Sequence, residues 1–429
     1  MSNSISTRKW FQVSIFNFSL LALFGVILRY KISFPLPEVN QKYLLNAHSN
    51  FAFSGWVSLS LMIFLIYYLQ HNHIFRYNKI YKIVLYGFTF SAYGMLISFI
   101  LLGYSIIPIT LMVLSILFSY IYIVCCWRDL SLVKDTPHIS SWFKTGLILW
   151  GISSIGTFAL AYLMYVRYPV KDFYLSAMYF FLHFQYNGWF IFVCMGVLFY
   201  LIGMTASPAS MARLIKISRA TYLPLAISAA PTFLLSIIWM ELPFYLNLIA
   251  WIFAIVQLVA ILPLTKVLKA FYRHDNSILP YPVKLLFLLS TATLTFKITL
   301  QFLSMVPFLS HIAFGSRAII IGYLHLSFVG IISFFLLGFI QMSTKINFPR
   351  FAIYSFIFGF VLQELVLLNQ GLQGVGLFAV PHPNEILFSC AIIMWLSLVI
   401  ITISFVHKSK IRTATESAEA LALEEVSAP

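Results

Sequence analysis

Apolar runs of about twenty residues or more recur along this chain from one end to the other. As a helix, a run of that length crosses the hydrocarbon core of a bilayer, since each residue advances about 1.5 Å. Inside lipid every backbone N–H and C=O needs a partner within the protein, which leaves only helices and closed barrels. The runs lack the alternation of barrel strands. Composition agrees: 61% of the 429 residues are hydrophobic and 9% are charged, where soluble domains carry about 25% charged residues. Four cysteines in such a length exclude a disulfide scaffold. The chain reads as an all-α polytopic membrane protein.

Twelve spans are expected, at about 10–30, 44–69, 81–103, 104–126, 145–166, 174–203, 217–240, 243–265, 283–307, 318–342, 351–370 and 385–407. They form a single membrane domain over 1–407, followed by a short polar tail over 408–429 that holds four of the twelve acidic residues. The net charge of +15 does not point to nucleic acid. With a cytoplasmic N-terminus, twenty Lys and Arg fall in cytoplasmic segments and six in outer ones, with Lys297 inside a span. That asymmetry places both termini in the cytoplasm, favours an even number of spans, and fits a multi-pass protein of the cell (inner) membrane. The first apolar run is full length and lacks a small-residue cleavage site, so no signal peptide is read.

Seven of the ten histidines lie in loops or at span ends: His71, His73, His138, His274, His311, His382 and His407. The other three, His48, His183 and His325, sit within spans 2, 6 and 10. An ionisable side chain inside the membrane is a functional candidate. The three are separated by 135 and 142 residues, and each lies roughly 6–14 Å below the outer surface. Each is followed by a glycine, Gly55-Trp56, Gly188-Trp189 and Gly330. This is a weak threefold internal repeat, with spans 2, 6 and 10 as the second members of three quartets. Neutral imidazole ligates haem iron and copper, and two histidines on facing helices hold one haem from both sides. The plainer alternative is a hydrogen bond from each histidine to a neighbouring helix.

On these residues the chain resembles the catalytic subunit (subunit I) of the haem–copper oxidases and nitric oxide reductases. That resemblance implies twelve spans in three quasi-repeated four-helix sets. It also implies at least one low-spin b-type haem held by His48 on span 2 and His325 on span 10. The family's span-10 motif is His-x-His, and here the first position is Tyr323, which the resemblance places at the high-spin haem. His183 falls on the span that carries the first copper ligand, whereas span 7 contains no histidine. Copper would therefore keep at most one of three ligands, and one imidazole holds copper poorly. The implied activity is electron transfer, or reduction of oxygen or nitric oxide, although the changed copper and high-spin positions argue against full oxidase activity. The family also places arginines near the haem propionates, and Arg317 opens span 10 at that level. Its plain reading is a flanking interfacial charge.

Three readings stand for His183: a lone metal, a second haem, or a hydrogen bond to Gln185 or Asn187. Lys297 on span 9 and Glu364 on span 11 lie at comparable depth, and Gln301 shares a helix face with Lys297 at i,i+4. Either the three are candidates for a proton path, or Lys297 and Glu364 form a structural pair. No C-x-x-C-H motif attaches a c-type haem, and no P-loop, dinucleotide fingerprint or HExxH occurs. Cys125, Cys126, Cys194 and Cys390 read as apolar packing. Electrons would come from a quinol or cytochrome that this chain does not encode, and lipid is the surrounding partner. Two alternatives stand beside this reading: a non-enzymatic haem- or metal-binding sensor or assembly factor on the same fold, and a secondary transporter.

Overall fold

A computed structural model describes residues 5–204, 207–266, 280–373 and 379–427, with side chains in the last segment to Glu416. Lys269, Arg273 and His274 lie outside the described residues. Among the described residues every regular element is helical. In chain order the main helices are α1 (Thr7–Ser33), α2 (Gln41–His71), α3 (Asn78–Leu102), α4 (Ile106–Leu130), α5 (Pro137–Tyr165) and α6 (Lys171–Met204). They continue as α7 (Pro208–Ser228), α8 (Phe244–Lys266), α9 (Tyr281–Leu303), α10 (Arg317–Thr344), α11 (Arg350–Leu372) and α12 (Pro383–Ser427).

Eleven of these helices are long and apolar enough to cross a membrane. The exception is α7. The expected span 217–240 is not one helix: α7 ends at Ser228, a turn follows, and then come a short helix at Phe233–Ser236 and a 3-10 turn at Ile238–Met240. Proline explains the break, because Pro231 has no N–H to donate and its ring crowds the preceding turn. Polar Arg213, Lys216 and Arg219 also make α7 the least apolar of the set. Some of the helices start at a side-chain cap. Asn40 accepts from the backbone N–H groups of Lys42 and Tyr43 before α2, and Ser316 accepts from Ile319 before α10.

Neighbours in sequence pack as neighbours in space, and α12 closes the circuit by packing along α1 and α11. Inside it, α2, α6 and α10 are the buried helices. The most apolar window is 83% buried in α2 and in α6 and 61% in α10, against 28–50% in the other spanning helices. The three helices that carry His48, His183 and His325 are therefore the three inner ones.

All three change pitch just past the histidine. The α-helical pattern gives way to π-helix at Ala52–Ser58, Phe184–Phe190 and Leu326–Ser333. A π segment widens the coil and loosens the backbone ladder, so neighbouring side chains can reach its carbonyls. Asn17 of α1 donates to the Gly55 carbonyl at 2.7 Å, and Ser290 of α9 to the Ile331 carbonyl at 2.7 Å. The glycines inside these segments mark close helix contacts. A Cβ on Gly188 would lie 2.6 Å from Leu149 Cβ, and one on Gly330 would lie 2.6 Å from Thr293 Cγ2. The π segments also meet one another. Phe53, Phe190 and Phe328, one from each, form a ring cluster with centroids 4.7–5.9 Å apart. Trp56 Nε1 donates to Ser333 Oγ at 2.9 Å, and Trp189 Nε1 to Ser58 Oγ at 3.2 Å. Each tryptophan also stacks on the helix before its own, Trp56 on Phe18 and Trp189 on Trp150.

Candidate functional site

The eight residues singled out from sequence divide into two groups. The first surrounds His48 and His325. These two imidazoles, on α2 and α10, are close enough to interact electrostatically. His325 Nδ1 lies 2.9 Å from the Ile321 carbonyl oxygen one turn earlier. A carbonyl only accepts, so the proton is on Nδ1 and the Nε2 lone pair is free. Nδ1 of His48 is buried with no hydrogen-bond partner. Gly25 of α1 faces this ring, since a Cβ there would lie 3.5 Å from His48 Cε1.

Arg29 completes this group, and sequence reading had placed it among outer loop charges. It sits in the last turns of α1, within electrostatic reach of His48, His325 and Glu364, and Arg317 faces it from the start of α10. The available signal was position: Arg29 falls at the end of the first apolar run, at the depth from which His48 descends. Glu364 of α11 packs against α10 at Gly322, where an added Cβ would lie 3.4 Å from Glu364 Oε2. Its Oε1 is buried and accepts no hydrogen bond.

The second group surrounds His183, and here both ring nitrogens are engaged. Nε2 lies 2.8 Å from the Ala229 carbonyl and Nδ1 lies 3.0 Å from Asn187 Nδ2. The consistent assignment has Nε2–H donating to the carbonyl and Nδ1 accepting from the amide. The break after α7 supplies that carbonyl, since beyond Ser228 the chain leaves the regular ladder and Ala229 O turns to the histidine. Of the three readings for His183, the structure displays the hydrogen bond to Asn187. Gln185 instead donates to Ser153 Oγ at 3.1 Å.

Asn187 passes the network on. Its Oδ1 accepts from Lys297 Nζ, which also donates to Gln301 Oε1 at 2.9 Å. The i,i+4 relation of Lys297 and Gln301 is thus a direct contact. The ammonium lies 5.2 Å from the ring centre of Tyr186 and 5.8 Å from that of Tyr323. Tyr323 and Tyr186 meet edge to face at 6.2 Å. Tyr323 therefore faces the Lys297 cluster, while His325, two residues on, faces Arg29. A residue step of two on a helix turns the side chain by more than half a circle.

Lys297 and Glu364 do not pair. Among the described residues Lys297 forms no ion pair, and its partners are amide oxygens and aromatic faces. The reason is packing order: α9 packs against α8 and α10, and α11 against α10 and α12, so α10 stands between the two charges. A void of about 10 Å³ between Asn187, Gln257, Lys297 and Gln301 is the size of a single water molecule. Among the described residues no cluster of three His, Cys, Asp or Glu side chains could hold a metal ion. The donors around His183 are an amide, a carbonyl and a hydroxyl, which do not fit a copper site.

No protein-family model matches the sequence, and no curated protein matches it. The fold, in contrast, is matched by a solved structure, that of a haem–copper terminal oxidase dimer determined by cryo-EM. The two superpose with a TM-score of 0.66 over 96% of this chain and 84% of that one, at 14% sequence identity. The chain thus has the fold of a haem–copper terminal oxidase, as the sequence resemblance implied.

Proposed function

We propose that this chain is a subunit-I-like haem protein of the cell membrane that carries one low-spin b-type haem between His48 and His325 for electron transfer. The observation that carries the proposal is the state of the two imidazoles. His325 is oriented by the Ile321 carbonyl with Nε2 free, and within its electrostatic reach lies His48, with a buried, unpartnered nitrogen, on another inner helix. A backbone acceptor on the far ring nitrogen is the usual device for holding a ligating histidine in one tautomer. On the α1 side the His48 ring meets the Leu21 backbone and the bare Gly25. Arg29 and Arg317 offer guanidinium groups to two carboxylates at the level of the pair. A haem held by two imidazoles exchanges electrons with no coordination position left for a gas.

The second region supports the same limit on activity. His183 is saturated, span 7 brings a freed carbonyl where the family has histidines, and Lys297 stands among neutral acceptors. These features favour electron transfer or haem-linked sensing over reduction of oxygen or nitric oxide. The topology proposed is twelve crossings in three quartets, with the broken α7 as the seventh. Two facts support it: the ends of the bundle meet at an Arg8–Glu416 ion pair of 2.7 Å, and eleven other helices are long enough to span. With the Lys/Arg asymmetry, both ends are cytoplasmic.

The test is a reduced-minus-oxidised spectrum with a pyridine haemochrome assay on the detergent-purified protein. The expected result is one b-type low-spin haem per chain, lost in both His48→Ala and His325→Ala. A colourless protein, expressed with haem supplied, overturns the proposal and brings the transporter reading forward.

A further inference from the structure

The face of the bundle where the first turn of α1 meets the extension of α12 holds a pocket away from His48, His183 and His325. Its volume is about 750 Å³, and it is walled by the first turn of α1, the end of α10 and the polar extension of α12. Among the described residues its charged lining is one-sided: Arg8, Lys9, Lys345, Lys410 and Arg412 against the carboxylate of Glu416. That carboxylate is already shared. Arg8 donates to both of its oxygens at 2.7 and 3.0 Å, and Arg412 Nε donates at 2.9 Å. Arg412 also donates to the Lys345 backbone carbonyl at 3.2 Å. The walls are therefore tied together, while among the described residues the lining offers the three lysines no further carboxylate.

A second observation concerns Lys345. It ends α10 with φ 54° in the left-handed region, where glycine or asparagine sits at less cost. This turn presents the Lys345 carbonyl to Arg412 and leaves the side chain at the rim of the pocket.

We infer that this pocket binds a phosphate-bearing anion. Guanidinium forks and clustered ammonium groups recognise phosphate oxygens by charge-assisted hydrogen bonds. The volume lies in the range that encloses a small organic ligand. Two sources present this chemistry at a positively charged membrane face: the headgroup of an anionic phospholipid and a soluble polyphosphate.

The experiment uses the full chain in phosphatidylcholine nanodiscs and follows its thermal midpoint. Phosphatidylglycerol is added to the discs in one arm and inorganic pyrophosphate to the buffer in the other, with sodium chloride at matched ionic strength as the control. The expected result is a rise in midpoint in at least one arm that a Lys345→Asn/Lys410→Gln double variant loses, with apparent affinity falling about tenfold or more. A rise with phosphatidylglycerol alone assigns the lipid headgroup, and a rise with pyrophosphate assigns a soluble ligand. Lys410→Gln alone, on the exposed face of α12, keeps the test open if the Lys345 change impairs folding. No rise in either arm, a rise equal to that with sodium chloride, or an equal rise in wild type and variants overturns the inference.

Discussion

His325 and His183 occupy equivalent places on two inner helices, each at the entry to a π segment, and their ring nitrogens differ in one respect. His325 spends one nitrogen on its own helix and keeps the other free. His183 spends both, one on Asn187 and one on the carbonyl freed by the break after α7. A histidine in a membrane becomes a ligand only if its surroundings leave a lone pair unused. Position within a repeat does not decide this; the next hydrogen bond out does.

The largest expected effect sets the two histidines directly against each other. His325→Ala abolishes haem binding, whereas His183→Ala leaves the full haemochrome signal. Loss of haem from both variants would erase the distinction.

Next comes Asn187→Leu, which takes an acceptor from the buried Lys297 ammonium and a donor from His183. Its expected cost is about 2–4 kcal/mol, since a charged buried group loses a hydrogen bond. The check is a lower thermal midpoint in detergent with unchanged haem content per folded chain. A third comparison separates close helix contacts from tolerant ones. Gly330→Val drives a side chain into Thr293 and Phe360 and costs about 1–3 kcal/mol by overpacking. At Gly203→Ala the nearest atom is 3.6 Å away, and the midpoint is expected to stay.

The smallest effect is at the exposed Glu416. Arg8 and Arg412 hydrogen-bond its carboxylate and hold its pKa down at about 2, from an ordinary 4.5. A depressed acid stabilises the fold above pH 4.5, and that contribution disappears as pH falls through about 2. The midpoint difference between wild type and Glu416→Gln is therefore expected to shrink across that window. It is small throughout, because the side chain is 48% exposed and water screens the pair.

Eleven of the expected spans and the three inner histidines were legible in sequence because they rest on apolar run length and spacing, both local properties. The i,i+4 contact of Lys297 with Gln301 was legible for the same reason. The Lys297–Glu364 pair failed because equal depth says nothing about which helix lies between. Arg29 was counted with the outer charges although it lies within the expected span 10–30, and only the fold brings it within electrostatic reach of His48. The π segments left only their glycines in the sequence, and the role of the Ala229 carbonyl left nothing, since every residue has a carbonyl. Tyr323 was singled out by its place in a motif, but its neighbours Tyr186 and Lys297 come from two other helices.

The closure of the bundle by α1 and α12 has a consequence for biosynthesis. A ribosome delivers α1 well before α12, so one flank of α1 meets lipid until α12 has been made. The Arg8–Glu416 pair joins residues 408 positions apart. Until it forms, the earliest helix has no fixed neighbour on that side, and the membrane insertion machinery or lipid must shield it. A ribosome stalled within α12 would leave a chain with all three inner histidines present and its circumference open, a form that quality-control proteases should find first.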